Sequence, residues 1–253
     1  MIIDINAWTG PWNTLPIQGD VESVRSTLLQ SGVDRICLAP LDAAWCPNQQ
    51  QYNHLVYDAA DRYEEIVPVP VIDPTLPTWQ DALSEALRRP DVSMIKLLPA
   101  YAPYSLELAD ELCTELSKLQ IVVLVQTRID DSRHQHPLAI VCDIAISEIA
   151  ELAERHPDLT VIAGGATTSA IRSETDRLRS QANFYADVSQ ADGMESLAML
   201  VDSGLSEKLL FGTHAPLFVP LAGLARVIID IDDEPAAAIL GKNAARILNT
   251  VKE

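Results

Sequence analysis

The chain has 253 residues, 48% of them hydrophobic, which is enough to bury one large core. Its 36 acidic and 18 basic residues give a net charge of −18, which repels nucleic acid phosphates and anionic lipid headgroups, so we expect neither as a partner. The four cysteines form no Cys-x-x-Cys pair, and no apolar run approaches the roughly 20 residues that span a bilayer. We therefore expect a cytoplasmic protein with reduced cysteines and no secretory leader.

Short apolar runs alternate with longer amphipathic segments along the whole chain. Eight runs have the length and composition of buried strands: 2–6, 34–39, 66–72, 93–98, 121–126, 159–163, 183–187 and 208–212. This alternation predicts an α/β fold, a single (β/α)8 TIM barrel over residues 1–253 with a closing helix at 234–249. The alternative, a doubly wound open sheet, is less favoured because no glycine-rich phosphate loop follows the first run.

Two long connections lack clear periodicity, residues 40–50 after the second predicted strand and residues 127–143 after the fifth. Loops that follow barrel strands lie at the carboxyl-terminal face, where substrates bind in this architecture. We therefore predict that these two segments form walls of an active site for a small molecule.

Three segments carry a resemblance to a known family: MIIDINAWTG at the start, LLFGTHAPLF at 209–218 and ILGKNAARIL at 239–248. They are similar to segments of the amidohydrolase superfamily, in the branch of metal-dependent hydrolases that includes decarboxylases and lactonases of small carboxylates. In that family the first strand ends in Asp-x-His-x-His-x-Gly, and the eighth in Phe-Gly-Ser-Asp-x-Pro. The resemblance implies a TIM barrel with a divalent metal at the strand ends.

The positions that the resemblance assigns to metal ligands hold other residues here, namely Asn6, Trp8, Gln126, Gly164 or a neighbour, and His214. Amide and indole groups are poor donors to zinc, and a tight site needs three or more imidazole or carboxylate ligands. We therefore predict a degenerate metal site, with no metal ligand and no cofactor.

The polar residues at the predicted strand ends suit a small, carboxylated substrate. His214, Lys96 and Gln126 are the candidate catalytic residues, with His214 as acid or base near neutral pH and Lys96 as a cation for a carboxylate. The candidate substrate-binding residues are Asn6, Trp8, Arg128, Tyr101, His134, His136 and Thr213. The expected function is a hydrolase-like enzyme that works without the usual metal. The alternatives are a lyase or decarboxylase-type enzyme and an inactive barrel that binds a ligand, and a homo-oligomer is compatible with either.

Each assignment has a structural alternative. His214 could instead satisfy buried carbonyls, and Lys96 could face solvent or pair with Asp73. Arg128 could form a loop salt bridge with Asp130 or Asp131. His134 and His136 could be hydrogen-bonding loop residues, or could form a replacement metal site with His214.

Overall fold

The computed structural model describes residues 1–131, 133, 135 and 140–248. All eight predicted strands are present, with bounds close to those expected from the sequence: β1 Ile3–Thr9, β2 Arg35–Pro40, β3 Ile66–Pro68, β4 Met94–Leu97, β5 Val122–Gln126, β6 Val161–Gly164, β7 Phe184–Asp187 and β8 Leu209–Leu210. Every strand pair is parallel and adjacent in sequence order.

Backbone hydrogen bonds close the strands into a barrel at two places. Between β3 and β4, the amide of Lys96 donates to the carbonyl of Pro70 at 2.9 Å. Between β8 and β1, the amide of Ile5 donates to the carbonyl of Phe211, and that of His214 to Asn6, both at 3.0 Å. The (β/α)8 prediction is confirmed, and the open-sheet alternative is wrong.

Helices cover the outside of the barrel: α1 Val21–Gln30, α2 Asn53–Arg62, α3 Trp79–Leu87, α4 Asp110–Leu119, α5 Ile146–Arg155, α6 Thr168–Ser173, α7 Thr175–Ser180, α8 Ser196–Asp202, α9 Pro220–Asp230, α10 Asp233–Ala237 and α11 Asn243–Ile247. A π-helical segment, Ala238–Lys242, joins α10 to α11, so these three elements run together from 233 to 247. Residue 249, the predicted end of the closing helix at 234–249, lies outside the described residues. Among the helices that the structure describes, none is both long and apolar enough to cross a bilayer.

The period-two alternation of the strands divides the core into two layers. In β5, Val123 and Val125 pack outward against the helices, whereas Val122 and Leu124 pack inward. Gln126 continues the inward set. Lys96 in β4 and Asp187 in β7 also point inward, because each lies two residues after an inward-facing residue, Met94 and Tyr185 respectively. Strand periodicity thus places polar side chains at the carboxyl-terminal end of the barrel axis.

Candidate active site

A buried polar network, composed of Asn6, Lys96, Gln126 and Asp187, occupies the barrel axis. The amide nitrogen of Asn6 donates to Asp187 Oδ2 at 2.6 Å and to Gln126 Oε1 at 3.2 Å, and its amide oxygen accepts from Lys96 Nζ at 2.7 Å. All four residues have 0% exposure. The structure thus brings together three residues predicted from the sequence and adds Asp187.

Lys96 lies against the face of Trp8, with Nζ 3.6 Å from the ring centroid, which is cation–π geometry. Burial lowers the pKa of Lys96 to about 7, and the carboxylates of Asp187 and Asp4 act in the opposite direction. The two structural alternatives for Lys96 are both wrong, because its ammonium is buried and bonded to Asn6 while Asp73 accepts from Thr75 instead. Trp8, predicted to contact substrate, is fully buried and supports this ammonium.

Two buried carboxylates hold neighbouring strand ends together. Asp187 accepts from the backbone amides of Gly165 and Ser189 at 2.9 and 2.7 Å, and burial raises its pKa against these hydrogen bonds. Asp4 accepts from the amide and the hydroxyl of Thr213, which ties β1 to the end of β8, and burial raises the pKa of Asp4 to about 6. The Thr213 hydroxyl is therefore engaged by Asp4 inside the protein, although substrate contact was predicted for it.

His214 is fully buried, and both of its ring nitrogens have hydrogen-bond partners. Nδ1 accepts from Trp8 Nε1 at 3.2 Å, and Nε2 lies 2.7 Å from the carbonyl of Ile129, to which it donates in the matching tautomer. Burial lowers the pKa of His214 to about 3, so the ring is neutral at pH 7. The prediction that His214 ionises near neutral pH is therefore not met. Its contacts match the structural alternative, in which the ring satisfies a buried carbonyl. The catalytic role of His214 stays a prediction.

An aromatic cluster of Trp12, Trp45 and Tyr101 joins loops at the carboxyl-terminal face. Trp45 lies 5.6 Å from Trp12 and 5.3 Å from Tyr101, measured between ring centroids. Trp12 Nε1 donates to Asp130, and the Tyr101 hydroxyl accepts from the amide of Ile129 at 3.2 Å. Tyr101, predicted to bind substrate, thus anchors the loop after β5. Trp45, of the predicted wall 40–50, is linked to Asp130 and Ile129 of that loop through Trp12 and Tyr101.

A cleft of about 390 Å³ opens beside this cluster, between the loops after β5, β6 and β7 and helix α9. Three guanidinium groups line it, those of Arg128, Arg133 and Arg226, together with the acids Asp130, Asp131 and Asp192. Of the predicted site residues that the structure describes, Arg128 alone lines this cleft. We refer to it as the arginine cleft.

Arg128 is held at the wall of the arginine cleft by polar contacts. Its Nε donates to Gln190 Oε1 at 2.6 Å, and its terminal nitrogens lie 3.8 Å from Asp131 and 3.4 Å from Asp143. The salt bridge to Asp131 that was considered from the sequence is therefore present, but Asp131 makes its shorter contact, 2.7 Å, with Arg133. The guanidinium of Arg128 is 20% exposed, so it is oriented by its partners and still reachable.

The wall of the cleft also contains Ser189, which the sequence analysis missed. Ser189 is 2% exposed, and its side chain interacts with the Asp187 carboxylate, where it helps to lower the pKa of that group against the effect of burial. Ser189, Gln190 and Asp187 lie at or just after the seventh predicted strand. Gln126 and Arg128 were selected as polar residues at or just after the end of a predicted strand, and the same criterion could have identified these three residues.

Most of the positions that the sequence resemblance assigns to metal ligands hold amide and indole side chains and a glycine, which are poor donors to a divalent metal. A Cβ added at Gly164 would lie 2.3 Å from Leu124 Cδ2 and 3.0 Å from Gln126 Oε1, so a side chain there would require these two side chains to shift. Within the described ranges, no group of three or more His, Cys, Asp or Glu residues could hold a metal ion. His134 and His136 lie outside the described residues, so a replacement site that includes them stays a prediction.

Comparison with known proteins agrees with the architecture. The sequence profile of a family described as amidohydrolase matches residues 41–250. A search of curated proteins finds no match. Among solved structures, an uncharacterized TIM-barrel protein from Bordetella bronchiseptica is similar, with a TM-score of 0.73, 16% identity and 98% of each chain covered.

Two further structures have named activities. One is 2,6-dihydroxybenzoate decarboxylase from Rhizobium, with a TM-score of 0.66, 15% identity and 98% of each chain covered. The other is a probable 2-pyrone-4,6-dicarboxylic acid hydrolase from Acinetobacter baumannii with citric acid bound, with a TM-score of 0.64, 11% identity, and coverage of 98% of this chain and 99% of that one. At these identities the likeness establishes the fold.

Proposed function

The chain belongs to the amidohydrolase family, and from that premise we propose that it is a hydrolase-like enzyme that acts on a small carboxylated molecule without the usual divalent metal. The observation that carries the proposal is the arginine cleft, where three arginines and three aspartates meet at the carboxyl-terminal face and Arg128 remains partly exposed. In TIM-barrel enzymes this face is where substrates bind.

Arg128 is the proposed anchor for a substrate carboxylate. A guanidinium can bind a carboxylate through two parallel hydrogen bonds, and Gln190 already fixes the plane of this one. The distances to Asp131 and Asp143 are long enough for an incoming carboxylate to compete with them. Carboxylated ligands of the decarboxylase and the dicarboxylic acid hydrolase are consistent with this assignment.

Lys96 is the proposed substitute for the charge of the metal. Its ammonium is bonded to Asn6, the residue at a former ligand position, and a fixed positive charge there opposes the binding of a divalent cation. Because burial brings the pKa of Lys96 to about 7, this group can also hold or release a proton near neutral pH.

Gln190 connects the arginine cleft to the interior. Its side-chain nitrogen donates to the carbonyls of Arg128 and Ile129 and lies 3.2 Å from His214 Nε2. These contacts link the arginine that we propose as carboxylate anchor to the buried imidazole.

Ligand binding without turnover is a second candidate function, and a specific observation favours it. The candidate catalytic side chains of His214, Lys96 and Gln126 all have 0% exposure. A molecule in the arginine cleft would not touch them unless the loop after β5 moves.

The test combines metal analysis with a panel of carboxylic acids, carboxylated lactones and esters, with binding followed by calorimetry and products by mass spectrometry. We expect chelator-treated protein to convert at least one compound, and Arg128→Gln to weaken its binding by roughly tenfold or more, since hydrogen bonds to charged groups contribute about 1.5–3 kcal/mol. Arg155→Gln, which removes an arginine paired with Asp110 on α4, is the matched control.

Binding with no product would select the second candidate function. Turnover that appears only after a divalent metal is added would contradict the proposed mechanism. An Arg128→Gln protein that binds as tightly as the wild type would show that the arginine cleft does not hold the carboxylate.

A further inference from the structure

Helix α9 exposes a large apolar face. Leu221, Ile228 and Ile229 are 58%, 56% and 76% exposed, and Phe218 and Val219, just before the helix, are 42% and 67% exposed. The opposite side of the helix, with Pro220 and Val227, is buried against the barrel. We call the five exposed residues the α9 face.

Single exposed apolar residues are normal on protein surfaces, but a contiguous set is not. The spacing of Leu221, Ile228 and Ile229 places these side chains on one stripe of the helix, with Ala222 and Ala225 between them. Small residues at the centre of such a stripe allow a second helix to approach closely. The stripe therefore has the form of a helix-packing surface that the chain itself does not cover within its described residues.

Arg226 and Asp230 lie one helical turn apart along the same flank of this stripe. Within the described ranges, neither forms an ion pair, although their i, i+4 spacing would allow one; the side chain of Arg226 donates to the carbonyl of Ala222. When two copies of a helix pair antiparallel about a two-fold axis, the same flanks face each other. Each guanidinium can then meet the carboxylate of the other copy, so this pair of opposite charges is self-complementary.

We propose that the α9 face is the contact of a homodimer, in which α9 packs antiparallel against α9 of a second copy. The largest apolar patches on monomers measure roughly 300–600 Å². A patch of that size buried on both copies would remove roughly 600–1,200 Å² from solvent, compared with the roughly 1,000 Å² that a specific interface needs. The second copy is the favoured partner because one face then supplies both the apolar stripe and the matching charges.

The dimer contact borders the arginine cleft, since Phe218 and Arg226 line both surfaces. A second copy on the α9 face would narrow one side of the cleft opening. The dimer itself does not depend on the proposed enzymatic function, and its test requires no substrate.

Sedimentation equilibrium of the full chain tests the proposal. We expect the wild type to sediment at twice the 27.7 kDa mass of the chain at micromolar concentration. Ile229→Glu places a charge in the centre of the apolar contact, and we expect its dimer dissociation constant to rise by about 100-fold or more. Leu108→Glu, at a residue that is 59% exposed elsewhere on the barrel, is the control and should remain dimeric. Far-ultraviolet circular dichroism verifies that each variant is folded.

The charge pair provides a second test. Arg226→Glu should weaken the dimer by about tenfold, because two symmetric ion pairs become repulsive, and the double variant Arg226→Glu with Asp230→Arg should restore it. A monomeric wild type, whether or not it binds lipid vesicles or another protein, would overturn the proposal. A folded Ile229→Glu protein that remains dimeric would overturn it as well.

Discussion

The barrel axis and the arginine cleft lie at the same end of the molecule, yet they treat polar groups in opposite ways. On the axis, Asn6, Lys96 and His214 are fully buried and bonded to one another or to neighbouring groups. In the cleft, Arg128 remains partly exposed, and its contacts with Asp131 and Asp143, at 3.8 and 3.4 Å, are longer than the hydrogen bonds on the axis. A completed set of hydrogen bonds stabilises a fold, whereas an incomplete one favours a ligand.

This contrast suggests a division of roles. The sequence resemblance implies that relatives hold a metal at the axis positions. In this chain Asn6, Gln126 and His214 form internal contacts at these positions, and we propose that recognition takes place at the outer rim. Substitutions on the axis should therefore affect folding first, and substitutions in the cleft should affect binding first.

The largest effect is expected for Lys96→Met. The change removes the donor to Asn6 and the positive charge near Asp4 and Asp187, which leaves buried acidic groups without compensation. Breaking a buried charge pair in this way costs about 3–5 kcal/mol of unfolding free energy, measured by urea denaturation. Lys118→Met, which removes an exposed contact with Glu115, should change stability by less than about 0.5 kcal/mol. Equal stability of the two variants would mean that the axis network is not structural.

The next largest effect on stability is expected from protonation of His214. Burial lowers its pKa from 6.5 to about 3, so between these values the unfolded chain binds a proton that the folded chain does not. This contribution to stability is present above pH 6.5 and is lost as the pH falls towards 3, by at most about 1.4 kcal/mol per pH unit.

Asp4 changes stability in the opposite direction as the pH falls, because burial raises its pKa from 3.8 to about 6. The pH dependence of stability alone therefore does not isolate the contribution of His214. Nitrogen-15 NMR of the imidazole measures the protonation of His214 directly. We expect the neutral Nε2–H tautomer to persist down to about pH 4. Titration of this ring above pH 5 would contradict the assignment.

Trp8→Phe should have an intermediate effect. The phenyl ring retains an aromatic face for Lys96 but removes the indole N–H that Nδ1 of His214 accepts. An unsatisfied buried acceptor costs about 1–3 kcal/mol, which thermal or urea unfolding can resolve. A loss well below 1 kcal/mol would show that a water molecule or a rearranged side chain replaces the donor.

The smallest effect on stability is expected for Ser189→Ala, next to the axis network. The hydroxyl helps to lower the pKa of Asp187, but that carboxylate keeps its hydrogen bonds to Asn6 and to the backbone amides of Gly165 and Ser189. Removing one neutral hydrogen-bonding group should therefore cost about 0.5–1.5 kcal/mol of unfolding free energy, measured by urea denaturation. A loss as large as that of Lys96→Met would show that the Asp187 carboxylate depends on this hydroxyl.

Several features of the site could be predicted from local sequence. Strand order and the rule that carboxyl-terminal strand ends converge placed Asn6, Lys96 and Gln126 together, and period-two alternation could have added Asp187. The pKa of His214 and the cleft position of Arg226 could not be predicted in this way. The first depends on burial beneath the loop after β5, and the second on how α9 packs across the end of the barrel.

The sequence alone determined the eight strands and the barrel, because these follow from the hydrophobic period along the chain. Only the tertiary structure decided which polar groups are satisfied internally and which remain available, since desolvation and hydrogen-bond partners depend on segments far apart in sequence. The contact between Gln190 and His214, for example, joins the loop after β7 to the end of β8.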